Sequence, residues 1–452
     1  MGPQPPLLGD DVWLIIIDVL CEPSRNQAGH ADDETDSQEP PKLAKIYPNL
    51  HDLIDLSNTC RWMRDSIAPR IFRAVHLHNT AKSALSLQAI ARGKHSHCVR
   101  EIQYVAICEP DQVKSPLDEV YPPEVNSVLS NVSQLFPGLR HLAVDFPFRC
   151  HELFWAGVPY DPFDPSLDRA LTEEESDAWR GLMASSFAAV ASNELVSLEI
   201  RHLHVAEVST FTTPAFRSSL AKLKSFNLSL RPLDNGAGWQ FNTTEIFPGF
   251  ADRLGSWFTH HLLSVEDFSF DPSDSSVLGE AGQLYSHNIS LQGATMPRLR
   301  SLALSNIIIC AELRDFILCH LGTLEEITLR ECYAYEEKED WCFRWRNLFA
   351  ALARARPARL RAFELRYDEP ETEKLKAEFE SAWAGEDLIA RARAKLGLEP
   401  HARPFFYAYV DDKYGFRFGD AAPTLEAYLQ GDDERAYWEL LEAIAGNAAR
   451  RI

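Results

Sequence analysis

His151-Glu152 opens an H-E-x-x phrase, the start of a zinc-binding helix in which a second histidine one turn later would complete a ligand pair. Trp155 stands where that histidine is needed, so the pair does not form. Gly236 and Gly238 give G-x-G, but Phe241 replaces the third glycine that a dinucleotide fingerprint requires. No P-loop and no G-x-S-x-G nucleophile elbow occurs. His76 and His78 share one side of a strand, and His95, His97 and Cys98 crowd one loop. Either group could take an adventitious metal ion, yet neither has the further ligand pair of a resident site. His260-His261 lies near a helix end, where the terminal dipole favours positive charge. Trp341, Phe343, Trp345 and Phe349 read as helix core. The sequence therefore predicts no catalytic residue, no metal site and no cofactor.

The nine cysteines are scattered and form no C-x-x-C pair; most sit in apolar runs, as reduced core thiols of an intracellular protein do. A net charge of -21 over 452 residues argues against nucleic acid and against anionic membranes, since phosphate contacts need a basic surface. The opening MGPQPPLLGDD lacks the positive region of a signal peptide, and the apolar run from Val12 to Leu20 is too short to span a bilayer. The expectation is a cytoplasmic or nuclear protein with no membrane partner.

Two kinds of element must carry whatever the chain does. At the N-terminus, Val12, Ile15, Ile16, Val19 and Leu20 give one helix an apolar face. Leu53, Leu56, Cys60, Met63 and Ile67 recur at three- and four-residue steps on another, which Pro69 is expected to end. Val75 and Leu77 then alternate as in a strand. Between the helices, residues 22–48 hold HADDETDSQEPP, with five acids and no base, and cannot repay the entropy of ordering.

Beyond His78 one phrase returns eight times: apolar, two variable, apolar, variable, apolar. The copies are VREIQY from Val99, LRHLAV from Leu139, LVSLEI from Leu195, LKSFNL from Leu223, VEDFSF from Val265, LRSLAL from Leu299, LEEITL from Leu324 and LRAFEL from Leu360. Helical patterns at Glu124 to Phe136, Glu173 to Ala191, Phe250 to Leu263, Ala311 to Leu321 and Trp341 to Arg356 separate them. Strand alternating with helix implies parallel strands joined by crossovers. By strand alternation the fourth and sixth residues of each phrase face the core, and the third and fifth face the other side. From Asp368 onward the phrase stops; two helices, a hairpin in FFYAYVDDKYGFRFG and a final helix after Gly431 are expected.

The repeated phrase resembles the leucine-rich repeat, in which strands stack into a curved sheet with helices outside, although the family's Asn or Cys after the third apolar residue is matched only by Cys332. The stretch LHDLIDLSNTCRWMRDSIAPRIFRAVHLH, with LLGDDVWLIIIDVL before it, resembles an F-box; Gly9 stands where that family usually has proline. The combination is similar to fungal F-box proteins. This implies a fold of the α/β class: an F-box-like three-helix unit (1–79, with the acidic insertion at 22–48), an irregular leucine-rich-repeat-like βα solenoid (80–368) and a helix/hairpin cap (369–452). It also implies a Skp-family adaptor and its cullin complex as partners, bound through Leu8, Val12, Ile16, Leu20, Leu53, Leu56 and Cys60. A client protein would lie on the concave face, against His141, Glu199, Asn227, Asp267, Ser301, Glu326, Thr328 and Glu364. Two other readings stay open: a scaffold that does not engage the adaptor, and an enzyme with a pocket near Phe146 to Phe163.

Overall fold

In the computed structural model the described residues are 50–449, apart from 110–111, 113–114, 148–177, 232–239, 244–245, 274–276, 280–286, 337–342, 382–383 and 412. Leu8, Val12, Ile16, Leu20 and the acidic segment 22–48 therefore lie outside the described residues, as do His151, Gly236 and most of the Phe146 to Phe163 stretch.

The chain begins with α1 (Leu50–Ser57) and α2 (Arg61–Ile71), then β1 (Ala74–His78), α3 (Ala81–Arg92) and β2 (Glu101–Val105). Three short helices follow, α4 (Leu117–Val120), α5 (Pro123–Leu129) and α6 (Val132–Leu135), leading to β3 (His141–Asp145). Next come α7 (Ala178–Ala191), β4 (Ser197–His204), α8 (Pro214–Leu220), β5 (Ser225–Arg231), α9 (Ile246–Trp257) and β6 (Asp267–Asp271). The sheet is completed by β7 (Ser301–Ser305), α10 (Ala311–His320), β8 (Glu326–Arg330), α11 (Trp345–Arg354) and β9 (Ala362–Arg366). The tail holds α12 (Glu371–Glu378), α13 (Glu386–Leu398), a hairpin of β10 (Ala408–Val410) and β11 (Arg417–Gly419), α14 (Ala421–Gln430) and α15 (Asp432–Ala449). It is a mixed α/β structure.

All nine strands β1 to β9 form one parallel sheet whose spatial order is the sequence order. Eight of them are the eight phrases. The ninth is Phe72-Arg-Ala-Val-His-Leu, so β1 pairs with β2 and the sheet starts inside the segment assigned to the helical unit. Its signal was present: Val75 and Leu77 alternate, and Asn79 follows. The Asn79 amide donates to Ile107 O (2.6 Å) and Val120 O (2.7 Å) and its carbonyl accepts from Ile107 N (2.9 Å), tying β1 to the next unit.

Register repeats from strand to strand: Glu101, His141, Ser197, Ser225, Asp267, Ser301, Glu326 and Ala362 are successive partners. Counting the first apolar residue of a phrase as position one, positions four and six are buried throughout, as in Leu198 and Ile200 or Phe226 and Leu228. Helices cover that side. Aromatics fill its centre: Phe211 lies 4.9 Å from Phe258, 5.2 Å from Phe187 and 5.5 Å from Trp257, and Phe226 stacks on Phe268 across β5 and β6. Positions three and five lie on the uncovered side and are mostly half-buried or exposed; β1, β2 and β3 are the exceptions, burying Ala74, Gln103 and Ala143 as well.

Position two builds a charge ladder along the edge where the strands start. Lys224, Glu266, Arg300, Glu325 and Arg361 alternate in sign, with contacts of 3.6, 4.0, 2.8 and 3.1 Å.

Two expectations are corrected. Pro69 does not end its helix: α2 runs on to Ile71, because a proline's ring angle suits the helix and only one backbone bond is lost near the end. The pattern from Glu124 to Phe136 is two helices, not one, broken at Ser130-Asn131. The tail also holds α14, which went unread between the hairpin and the last helix. The tail is fastened to the sheet unit by Trp345 Nε1 donating to Phe406 O (3.0 Å), Arg346 N to Asp433 Oδ1 (2.8 Å) and Arg417 to Asn306 (3.0 Å), with Arg417 stacked 4.6 Å from the Tyr333 ring.

The aromatic centre and the edge ladder should differ in weight. Phe211→Ala removes a fully buried ring and should cost about 3–5 kcal/mol in urea unfolding, whereas Arg300→Gln, at an exposed ion pair, should leave the transition nearly where it was. A ranking the other way round would mean the ladder, not the core, holds the sheet.

Candidate functional site

The uncovered face of the sheet is where side chains not needed for the core collect. At its N-terminal end β1 to β4 present His76, Gln103, His141, Asp145, Glu199 and Arg201 within four neighbouring strands. His141 bridges two of the residues of β4: its Nδ1 lies 2.8 Å from Ser197 Oγ and its Nε2 3.1 Å from Glu199 Oε2. Arg201 donates to the same Glu199 oxygen at 2.8 Å. Burial alone would raise the Glu199 carboxyl; the hydrogen bonds from His141 and Arg201 outweigh it and hold the group down at about 2.

β4 then breaks step. A shift in its pairing with β5 falls between Ile200 and Leu203, and His202 takes a left-handed backbone (φ 54°), its N–H received by Ser229 Oγ at 3.1 Å. Such a bulge re-aims one side chain. Here it brings His202 Nδ1 to 2.8 Å from Asp145, which is buried. His204, at the end of the strand, turns into the core edge-on to Trp179; burial, with Arg231 and His202 adding to it, pushes it down to about 3, so it is neutral near pH 7. His76 is lowered by burial and by His78 and Arg201, and His78 by burial. Both also line a cleft of about 750 Å³ between β1 and the start of α3, with Thr80, Lys82, Ser86 and Glu109.

Ser197, His141 and Glu199 have the order of a serine-hydrolase chain: hydroxyl, imidazole, carboxylate. The chemistry is not completed. An acyl transfer needs free N–H donors for the oxyanion, but Ser197 N donates to Arg140 O and His141 N to Arg100 O, and the strand ladder takes the N–H groups beyond them. Arg201 further ties up the carboxylate. Among the described residues no group of three or more His, Cys, Asp or Glu is placed to hold a metal ion, and no helix is long and apolar enough to cross a membrane.

The anticipated client-facing residues fall where strand alternation puts them. His141 and Glu199 are brought together. Asn227 follows Glu199 in register, Asp267 and Glu326 flank Ser301, and Thr328 pairs with Glu364. Asp267, Glu326 and Glu364 are exposed, and Glu364 is engaged by Arg366. Sequence reasoning stopped at position five and missed Asp145, Arg201 and His202; carrying the alternation two residues further would have found the first two. For the helical unit the correction is larger. Leu53, expected on a docking surface, is buried against Met63 and Ile67, since α1 and α2 close on each other along that stripe. Leu56 and Cys60 pack at its margin, and Cys60 Sγ also caps α2 by accepting from Met63 N. Among the described side chains, the large apolar ones these helices expose are Ile54 and Trp62.

No protein-family model matches the chain, and no curated protein matches it in sequence.

The depressed Glu199 group gives a pH test. Its ordinary value is 4.5 and its folded value about 2, so its stabilisation is fully present above 4.5 and lost as pH falls through 2. Glu199→Gln should cost about 1–3 kcal/mol in denaturant at pH 7, with the gap to wild type closing below 4.5; a gap independent of pH would show that the carboxylate is not held by its partners. A hydrolase chain without oxyanion donors should leave p-nitrophenyl acetate at its background rate, with no burst, in a stopped-flow trace.

Proposed function

We propose that the chain is the substrate-recognition adaptor of a Skp–cullin–F-box-type ubiquitin ligase, and that its nine-stranded sheet is a leucine-rich-repeat-like solenoid. The reading rests most on the uncovered face: nine parallel strands in sequence order, helices on one side, and in-register rows of polar side chains on the other. A surface of that kind can read an extended or folded partner across many strands at once, and repeat arrays use it for binding. The helical pair α1–α2 leads into β1 through only Phe72 and Arg73, the order in which an F-box precedes its repeats.

On this reading the chain performs no chemistry. The helical unit binds the Skp-family adaptor, the open face holds the client, and the client's lysines spend their time near the ubiquitin-charged enzyme at high effective concentration. The protein would work in the cytoplasm or nucleus. The burial of Leu53 favours a second reading, a recognition scaffold that does not dock the adaptor, because one of the expected docking leucines is spent inside the helix pair.

Capture on an immobilised Skp-family adaptor separates the two. Wild type should be retained, and Ile54→Asp with Trp62→Asp should weaken retention at least about tenfold without lowering the melting temperature. Failure of the wild type to bind would remove the ligase reading and leave the scaffold.

A further inference from the structure

Two neighbouring rows of the sheet treat charge in opposite ways. At position two every carboxylate in the ladder has a cation beside it: Glu266 lies between Lys224 and Arg300, and Glu325 between Arg300 and Arg361. One residue further along each strand, on the open face, position three carries Glu101, Asp267 and Glu326 and no lysine or arginine. The other titratable member of that row is His141, already committed to Ser197 and Glu199. None of the three carboxylates has a hydrogen-bond or ion-pair partner among the described residues. Burial and the nearby Glu266, with Glu326 adding to them, push the Asp267 carboxyl upward against the opposing pull of Arg300.

Beside Glu101 on the same face sits Gln103, only 5% exposed, whose Nε2 is buried without a partner. Strand alternation turns it to the open side, since Ile102 and Tyr104 fill the core. A buried donor left unmet costs about 1–3 kcal/mol, and an acceptor arriving on that face would remove the cost. Ser197, Ser225 and Ser301 lie between the three carboxylates, small enough to let a backbone pass close to the sheet.

We infer that this row seats an extended segment of a partner protein carrying lysine or arginine, laid across the strands with its cations on Glu101, Asp267 and Glu326 and a backbone carbonyl on Gln103 Nε2. The inference rests on the open face being the client surface and names the client's chemistry. Spacing follows from the register. Glu101 and Asp267 are four strands apart, about 19 Å, and Asp267 and Glu326 two strands apart, about 10 Å, at about 4.8 Å per strand. An extended chain rises about 3.3 Å per residue and alternates its side chains, so the three basic residues stand about six and then about two or four positions apart, even steps that keep them on one side.

The test uses the full chain and a fluorescein-labelled peptide of about twelve residues, with lysines at that spacing in a serine–threonine background, followed by anisotropy at physiological salt. A second peptide has glutamate in place of lysine. The triple variant Glu101→Gln, Asp267→Asn, Glu326→Gln should weaken the lysine peptide at least about tenfold. The control triple Glu194→Gln, Glu373→Gln, Asp387→Asn removes the same charge from exposed carboxylates elsewhere and should change binding less than about twofold. Gln103→Leu should weaken binding about threefold with the melting temperature held or raised. Equal loss in both triples, equal binding of the glutamate peptide, or no binding of the lysine peptide by wild type overturns the inference. Adaptor capture is measured separately, so a chain that docks the Skp adaptor but shows no preference for the basic peptide sinks this inference alone.

Discussion

One hydrogen-bond arrangement sets the geometry on which everything else in this chain depends. The carbonyl at position two of a phrase accepts from two consecutive N–H groups of the next strand: Arg73 O takes Arg100 and Glu101, Lys224 O takes Glu266 and Asp267, and Arg300 O takes Glu325 and Glu326. The fork recurs at every junction except that from β3 to β4, where Arg140 O takes Ser197 alone. A fork has one register. Because a one-residue slip in a strand would turn every side chain to the opposite face, this repeated junction is what separates Leu198 and Ile200 in the core from Glu199 on the open side. The ion ladder on the same residues reinforces it weakly, since its members are largely exposed.

The face that results is a lattice with fixed spacing, and its chemistry comes from which lattice points carry which side chains. At the N-terminal end one irregularity adds something the lattice alone would not. The bulge in β4 lets His202 reach back to Asp145 on the neighbouring strand while Arg201 and His141 converge on Glu199. The result is a charge-balanced corner at one end and, along position three, carboxylates without a hydrogen-bond or ion-pair partner among the described residues.

The strands were legible because each phrase places apolar residues at one and four and six, a period that neither a helix nor a loop reproduces. The ninth strand was read from Val75 and Leu77 but assigned to the helical unit, because it adjoins that unit and because Ala74 and the histidines at 76 and 78 dilute its likeness to the other phrases. Helix ends were less legible: a proline near a helix end is tolerated as well as it is disruptive, so Pro69 stays inside α2, and the apolar pattern after Glu124 carried no mark of the break at Ser130-Asn131. Of the candidate site, the residues at positions three and five followed from alternation alone. Which of them touch did not, because the His141–Glu199 contact joins residues 58 apart in sequence. Nor could periodicity distinguish a helix stripe that docks a partner from one that packs on its neighbour, which is why Leu53 was placed outward when Met63 and Ile67 claim it.

The strand order has a mechanical meaning. Every strand of the main sheet is bonded only to those before and after it in the chain, so no long-range clasp links β1 to β9. The gaps between phrases can therefore range from 25 residues (Leu299 to Leu324) to 56 (Leu139 to Leu195), since lengthening a surface loop adds little closure entropy. Tension applied to the two ends would load the junctions from β1 to β5 in series, while the tail's hairpin, bonded back to Gln240 and Asn242, would carry part of the load across β6 to β9.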